Sequence, residues 1–131
     1  MSFNSTFDKE LELRNIGNGA ETATAAESAF AFDADRFNRP FVAVANVSAL
    51  DRTTGDETYV LSIEADTSSG FASPVAVATL PAITTVGRYE IPLSGSLIEQ
   101  HEPGATHIRI KATLGGTTPS VTYGAWLSPA L

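Results

Sequence analysis

The side chains best suited to bind a metal are His101 and His107, the two histidines of a chain that contains no cysteine. A zinc ion needs three or four ligands, so carboxylates would have to complete the site, and Glu99 and Glu102 are the nearest candidates. We expect His101 and Glu102 to lie in a loop and His107 on the solvent-facing side of a strand. The spacing therefore predicts two solvated histidines, with no metal and no cofactor.

Two acidic clusters offer oxygen atoms that a calcium ion could use. They are Asp33 with Asp35, and Asp51 with Asp56 and Glu57. Neither cluster has the spaced Asp/Asn/Gly loop, closed by a glutamate, that identifies an EF-hand. Aspartate is common in turns because its side chain accepts hydrogen bonds from nearby backbone N–H groups. We interpret both clusters as turn residues, and a calcium ion bridging an interface remains the alternative.

Nucleophilic catalysis has less support. The segment Gly95-Ser96-Leu97-Ile98 does not complete a G-x-S-x-G motif, and neither histidine has an evident carboxylate to orient it. No pair of carboxylates stands out as the two facing groups of a glycosidase. Gly115-Gly116 joins two predicted strands, which indicates a hairpin turn and not a phosphate-binding loop. The sequence predicts no catalytic residues and a protein that is not an enzyme.

The segments that would have to position such residues are short and follow the two-residue period of β-strands. Residues 59–66 alternate between apolar side chains such as Leu61 and Ile63 and polar ones such as Glu64, so one face is buried and the other is wet. Residues 107–114 repeat the pattern with basic side chains outside. Eight such segments are found at residues 9–14, 29–32, 40–50, 59–66, 74–80, 87–93, 107–114 and 121–127. This spacing predicts an all-β antiparallel sandwich of about eight strands.

The same patterns predict some of the connections. Residues 40–50 are almost continuously apolar, as in a central strand covered on both faces, and we expect them to form a hairpin with residues 59–66. Pro92 lacks an N–H group, so residues 87–93 form an edge strand or end there. A short helical turn is expected around Leu97-Ile98. The predicted core includes Leu61, Ile63, Val75, Ile91, Ile108, Ile110 and Tyr123.

Composition limits the classes of function. At 131 residues the chain is long enough for one domain, which we place at residues 9–131 after an N-terminal arm at residues 1–8. The net charge is −7, and the basic residues are scattered among acidic ones, which argues against nucleic-acid binding. No apolar run approaches the ~20 residues that span a bilayer, so we expect no membrane partner. The amino-terminal residues lack the pattern of a signal peptide.

Three aromatic residues are candidates for an interface. Phe3 and Phe7 lie in the polar N-terminal arm, where no period ties them to the sheet. Trp126 is out of phase with the apolar set of its strand, to which Tyr123 and Leu127 belong, so it faces the other side. An exposed tryptophan is a typical energetic centre of a protein interface. Packing of Trp126 against the N-terminal segment is the alternative.

The order of these segments resembles a known family. The resemblance lies in the Y-V-L-S-I-E strand at residues 59–66, the Ser68-Ser69-Gly70-Phe71 turn, residues 75–81, the G-R-Y-E-I-P-L segment at residues 87–93, the basic-apolar strand at residues 107–114 and the turn at residues 115–119. In this order they resemble the Bbp16-type capsid cement (decoration) proteins of tailed bacteriophages, over residues 57–131. The resemblance implies a jelly-roll-like sandwich that assembles as a homotrimer on the outside of the head, near three-fold axes. It supplies no catalytic residues.

The leading hypothesis is therefore a structural cement protein of the virion. It would be assembled in the host cytoplasm, bind the outer capsid surface and stabilise contacts between subunits of the major capsid protein. The alternative is a carbohydrate- or receptor-binding module of a virion, for which Trp126 and Tyr123 are the available aromatic residues. A small enzyme on the same scaffold has no residue-level support, and fold alone does not settle function.

Overall fold

The structure, a computed structural model, describes residues 11–31 and 39–129. Within those ranges the chain forms β1 (Glu12–Arg14), a 3-10 turn (Ile16–Asn18), β2 (Ala25–Ala26), β3 (Phe30–Ala31), β4 (Phe41–Leu50), β5 (Thr58–Asp66), β6 (Val75–Thr79), β7 (Gly87–Leu93), α1 (Gly95–His101), β8 (His107–Gly115) and β9 (Val121–Pro129). The predicted arm at residues 1–8, with Phe3 and Phe7, lies outside these ranges, as do Asp33 and Asp35.

The strands form two antiparallel sheets. Sheet I has the order β1-β9-β4-β7, and sheet II has the order β2-β8-β5-β6, with β3 also paired to β8. The pairing is nested along the chain: β1 pairs with β9, β2 and β3 with β8, β4 with β7, and β5 with β6. A long antiparallel ribbon rolled into two sheets in this way is a jelly roll. The predicted all-β sandwich is confirmed.

The two predicted hairpins are wrong. β4 lies in sheet I and β5 in sheet II, and β8 and β9 are separated in the same way. The loops after β4 and after β8 are therefore crossovers between the sheets, and they contact each other. The backbone N–H of Thr117 donates to Asp56 Oδ1 at 3.0 Å. Gly116 has a φ of 90°, and a Cβ there would collide with the backbone of Asp56.

The core between the sheets contains almost all the residues expected from the strand pattern. Leu61, Ile63, Ile91, Ile108, Ile110 and Tyr123 are all buried. Val75 is the exception, because it is only half-buried on the edge strand β6. The register between β5 and β6 shifts between Ile63 and Glu64, and Val77 is buried in the core. A β-bulge of this kind re-aims the side chains of the strand that carries the extra residue.

The remaining features follow from local chemistry. β7 is an edge strand of sheet I, as Pro92 predicted. The expected helical turn is α1, which begins after Ser94, whose Oγ accepts a hydrogen bond from the N–H of Leu97 at 3.1 Å. Ile98 on this helix is fully buried. His101 is the last residue of α1 and not part of a loop, which corrects that prediction.

Candidate functional site

The outer face of sheet I carries the candidate site. On β9 the residues Val121, Tyr123, Ala125 and Leu127 belong to the core, so the residues between them turn outward. Trp126 therefore lies on the outer face, as its phase predicted. It pairs with Glu12 of β1 on one side and with Val44 of β4 on the other. The side chains of these neighbours share its face of the sheet.

A groove opens beside Trp126 on this face, and we call it the Trp126 groove. Its volume is about 320 Å³, and it is lined by Glu12, Arg14, Asn15, Ile16, Asn46 and Trp126. Asn46 lies opposite Gly124 in the register of β4 and β9. A Cβ on Gly124 would lie only 3.1 Å from the Cβ of Ile16. The absence of a side chain at Gly124 thus lets the 3-10 turn sit on β9, where it forms one wall.

The 3-10 turn is held by a local cap. Asn15 Oδ1 accepts a hydrogen bond from the N–H of Gly17 at 2.6 Å, and the N–H of Gly19 returns to the carbonyl of Ile16 at 3.3 Å. Asparagine is suited to this position because its side chain satisfies a backbone donor that the short turn leaves unpaired. The turn leaves the Ile16 side chain 45% exposed at the rim of the Trp126 groove.

The charges around the groove are unevenly compensated. Arg88 of β7 pairs with Glu90 at 3.3 Å, and its guanidinium carbon lies 5.9 Å from the centre of the Trp126 ring. This distance is within the range of a cation–π contact. Glu12 is half-buried and forms no hydrogen bond or ion pair with any residue in the described ranges. Among the described residues that line the groove, Glu12 is thus a carboxylate without a counter-charge.

The Arg14 guanidinium is buried on the inner side of β1. The register between β1 and β9 shifts between Glu12 and Arg14, which turns Arg14 toward the core. Its Nη1 donates to the carbonyl of Tyr123 at 2.6 Å, its Nε to Glu27 at 3.2 Å, and its Nη2 lies 3.7 Å from Glu21. Its guanidinium carbon is 4.6 Å from the centre of the Tyr123 ring. This cluster fixes the short strand β1 against β9 and so positions one side of the groove.

Burial changes the acid–base properties of this cluster. It raises the pKa of Glu27, and a hydrogen bond with the Glu21 carboxyl adds to the effect, against the lowering effect of Arg14. Burial also raises the pKa of Tyr123. The Tyr123 hydroxyl is buried and has no hydrogen-bond partner within the described part of the chain.

The outer face of sheet II differs from the prediction. The polar residues of β5 were expected to be wet, but Ser62, Glu64 and Asp66 are buried. Glu64 accepts a hydrogen bond from Arg109 Nε at 2.8 Å, and the Arg109 guanidinium lies 4.3 Å from the centre of the Phe71 ring. The loop after β5 thus covers the strand. Glu64 is paired with Arg109 at 2.8 Å and with Lys111 at 3.8 Å. Asp66 accepts hydrogen bonds from the backbone N–H groups of Thr67 and Ser73, so both buried carboxylates are engaged within the described structure.

The other predicted candidates do not converge. His101 Nδ1 lies 3.0 Å from the carbonyl of Leu97, and His107 Nδ1 lies 2.8 Å from Thr106 Oγ1. In residues 11–31 and 39–129 no three His, Cys, Asp or Glu side chains lie close enough together to hold a metal ion.

Two of the three acidic residues in the loop after β4 accept hydrogen bonds from the backbone of that loop, whereas Asp56 accepts from Thr117 in the loop after β8. Asp51 accepts from the N–H of Thr53, an interaction that lowers the pKa of Asp51. Glu57 accepts from the N–H groups of Thr54 and Gly55 at 3.0 and 2.8 Å. Asp51 and Glu57 are therefore turn residues, as predicted.

Comparison of the chain with models of protein families, with curated proteins and with solved structures found no match. In the part of the chain that the structure describes, no helix is long and apolar enough to cross a membrane. The candidate site is therefore characterised by its own geometry. It is an open groove with an aromatic wall, an aliphatic rim, two amide side chains and a carboxylate, Glu12, that has no counter-charge within residues 11–31 and 39–129.

Proposed function

We propose that this protein is a capsid cement protein of a tailed bacteriophage, bound as a homotrimer to the outside of the head. The observation that carries the proposal is the Trp126 groove on an outward sheet face, together with the resemblance of residues 57–131 to such proteins. A jelly roll is a frequent scaffold of virion proteins, although fold alone does not settle function. Trp126 and Ile16 supply the aromatic and aliphatic contacts typical of an interface core.

The proposed work is mechanical and requires no catalytic step. Each copy would bridge neighbouring subunits of the major capsid protein, so that bursting the head must also break the bridges. Symmetry repeats each contact many times, and many weak contacts held together bind far more strongly than one. A closed homotrimer leaves no unsatisfied contact patch at its ends. The rigid sandwich suits this role because its two sheets share one continuous core.

A second function has some support from the composition of the groove. Trp126 lies beside the amide side chains of Asn15 and Asn46 and the carboxylate of Glu12. An aromatic ring with amide and carboxylate groups around it can stack on a sugar ring and hydrogen-bond its hydroxyl groups. A carbohydrate- or receptor-binding module of a virion is therefore the alternative function of the same surface.

The direct experiment is electron cryo-microscopy of heads purified from the phage that carries this gene, with mass spectrometry to detect the chain. The proposal predicts one trimer at each occupied position on the outer surface, and heads from a gene deletion should burst at lower temperature. Density for this chain on a tail fibre or baseplate would instead support the receptor-binding alternative. Isolated single copies on the head would contradict the trimer.

A further inference from the structure

We propose that the Trp126 groove receives an arginine or lysine side chain of the partner protein, with Glu12 as its counter-charge. The inference rests on the proposed function for the identity of the partner, a capsid subunit, and on the groove alone for the chemistry. The groove is open to solvent, and at about 320 Å³ it has room for one long side chain. It is a concave site with few polar groups, as binding pockets usually are.

The first argument is the Glu12 carboxylate, for which the described part of the chain provides no counter-charge. Glu12 is half-buried at the groove and has no hydrogen bond or ion pair within residues 11–31 and 39–129. A carboxylate that is partly removed from water without a partner is unfavourable, and a cation from outside would relieve that cost. Glu12 lies directly opposite Trp126 across the β1–β9 pair. A cation held by Glu12 therefore lies within reach of the indole ring.

The second argument is that Arg14 and Arg88, the cations that the described structure places near the groove, are already paired with other carboxylates, although Arg88 also lies 5.9 Å from the Trp126 ring centre. Arg14 is directed to the core, where Glu21 and Glu27 neutralise it. Arg88 pairs with Glu90 on β7, on the far side of Trp126. Within the described structure neither guanidinium pairs with Glu12, so a cation from a partner can supply the counter-charge. The chain as a whole carries a net charge of −7, which also favours a basic partner.

The third argument is the shape of the remaining walls. Ile16 and Trp126 offer apolar surface along which the methylene stem of an arginine or lysine can lie. A guanidinium or ammonium group beside an indole ring gains a cation–π attraction, which is strongest for tryptophan. The amide of Asn46, which also lines the groove, adds a hydrogen-bond acceptor. A hydrogen-bond acceptor beside the Glu12 carboxylate favours a cationic donor over a neutral ligand.

The test uses the full chain and the fact that Trp126 is its one tryptophan. The indole N–H resonance in an NMR spectrum therefore reports on this groove. The protein is titrated with an acetylated Ala-Arg-Ala amide, with the citrulline peptide of the same shape but no charge, and with methyl N-acetylglucosaminide. We expect the arginine peptide to shift the resonance in a saturable, salt-sensitive way, and to bind about fivefold or more tightly than the citrulline peptide.

Two isosteric variants test the role of the carboxylate. Glu12→Gln should weaken binding of the arginine peptide about fivefold and bring it to the level of the citrulline peptide. Glu90→Gln removes the same charge from the same sheet face, but its carboxylate does not line the groove, so binding should be unchanged. Equal melting temperatures of both variants and the parent would show that folding is not the cause. Equal binding of the two peptides, or full binding by Glu12→Gln, would overturn the proposal.

The same titrations distinguish the two other possible occupants of the groove, a sugar and a second copy of the chain. Saturable binding of the glycoside with no response to the arginine peptide would assign the groove to a sugar. A shift of the indole resonance with protein concentration alone, abolished by dilution and unaffected by the peptide, would assign it to a second copy. If the chain decorates heads but Glu12→Gln is retained equally well, this inference fails and the cement function stands. If the arginine peptide binds as expected but heads lack the chain, the cement function fails alone.

Discussion

Replacing Arg14 with methionine should be one of the most damaging single substitutions on the surface-to-core boundary of this fold. Methionine keeps the length and the apolar stem but removes three donated hydrogen bonds, to the carbonyls of Tyr123 and Gly19 and to Glu27. It also leaves Glu27 and Glu21 beside the core without a cation.

The magnitude follows from the burial of the pair. Removing one partner of a buried ion pair costs about 3–5 kcal/mol, because the other charge stays buried without compensation. The Arg14 side chain is 1% exposed and that of Glu27 is 12% exposed, so this range applies here. We take about 4 kcal/mol, a large part of the ~5–15 kcal/mol that stabilises a domain of this kind. With a urea dependence of about 2 kcal/mol per molar, the unfolding midpoint should fall by about 2 M.

The assay is urea unfolding followed by tryptophan fluorescence at pH 7, with Arg88→Met as the matched control. Arg88 is also paired with a glutamate and lies near an aromatic ring, but its side chain is 43% exposed. Exposed pairs contribute about 0–1 kcal/mol, so the control should move the midpoint by less than about 0.5 M. If Arg14→Met loses less than about 1 kcal/mol, or no more than Arg88→Met, the argument from the buried cluster is refuted.

Three further predictions concern other parts of the fold. Because burial raises the pKa of Glu27, the contribution of the Glu27 carboxyl to the unfolding free energy is present in acid and is lost as the pH rises through the raised pKa. The unfolding free energy of Glu27→Gln minus that of the parent should therefore rise from pH 4 to pH 7. A difference that does not change with pH would show that Glu27 titrates normally. Ile110→Asp should abolish folding, since Ile110 is fully buried and an unpaired charge there costs more than the domain can lose; an unchanged melting temperature would contradict its place in the core. Deleting residues 1–8 should leave the sandwich folded but weaken trimer formation or retention on heads. Phe3 and Phe7 would each contribute about 1.5–3 kcal/mol to assembly where a groove buries them. Circular dichroism would detect a loss of folding, and sedimentation would detect a loss of assembly.

The sequence alone was enough to predict the class of fold and the direction of most side chains. Alternation with a two-residue period is a property of each strand by itself, so Leu61, Ile63 and Ile110 could be placed in the core without knowledge of any partner strand. The same reasoning placed Trp126 on the outside of its strand, where it lines the groove. Pro92 predicted an edge strand from its missing N–H group alone.

Strand partners were decided only by the tertiary structure. Alternation tells which face of a strand is buried, but not which strand lies beside it, so neighbours along the chain were wrongly joined as hairpins. In the jelly roll β4 pairs with β7 and β9, and β5 with β6 and β8. Alternation also predicted that the Glu64 side chain is exposed to solvent. It is buried because Arg109 on β8 and the loop that carries Phe71 cover it, and alternation within β5 does not reveal either contact.

The site itself depends on three parts of the chain that are far apart in sequence. Glu12 and Ile16 come from the first strand and its turn, Asn46 from β4 and Trp126 from β9. A bulge in β1 turns Arg14 inward, although uninterrupted alternation would put it on the same outer face as Glu12. Gly124 leaves space for Ile16 on β9. Both features depend on contacts between elements that are distant in sequence, so the pattern of one strand does not reveal them. The two-residue period of β9 was enough to make Trp126 a candidate, and the packing of β1 against β9 decided that a groove lined by the Glu12 carboxylate lies beside it.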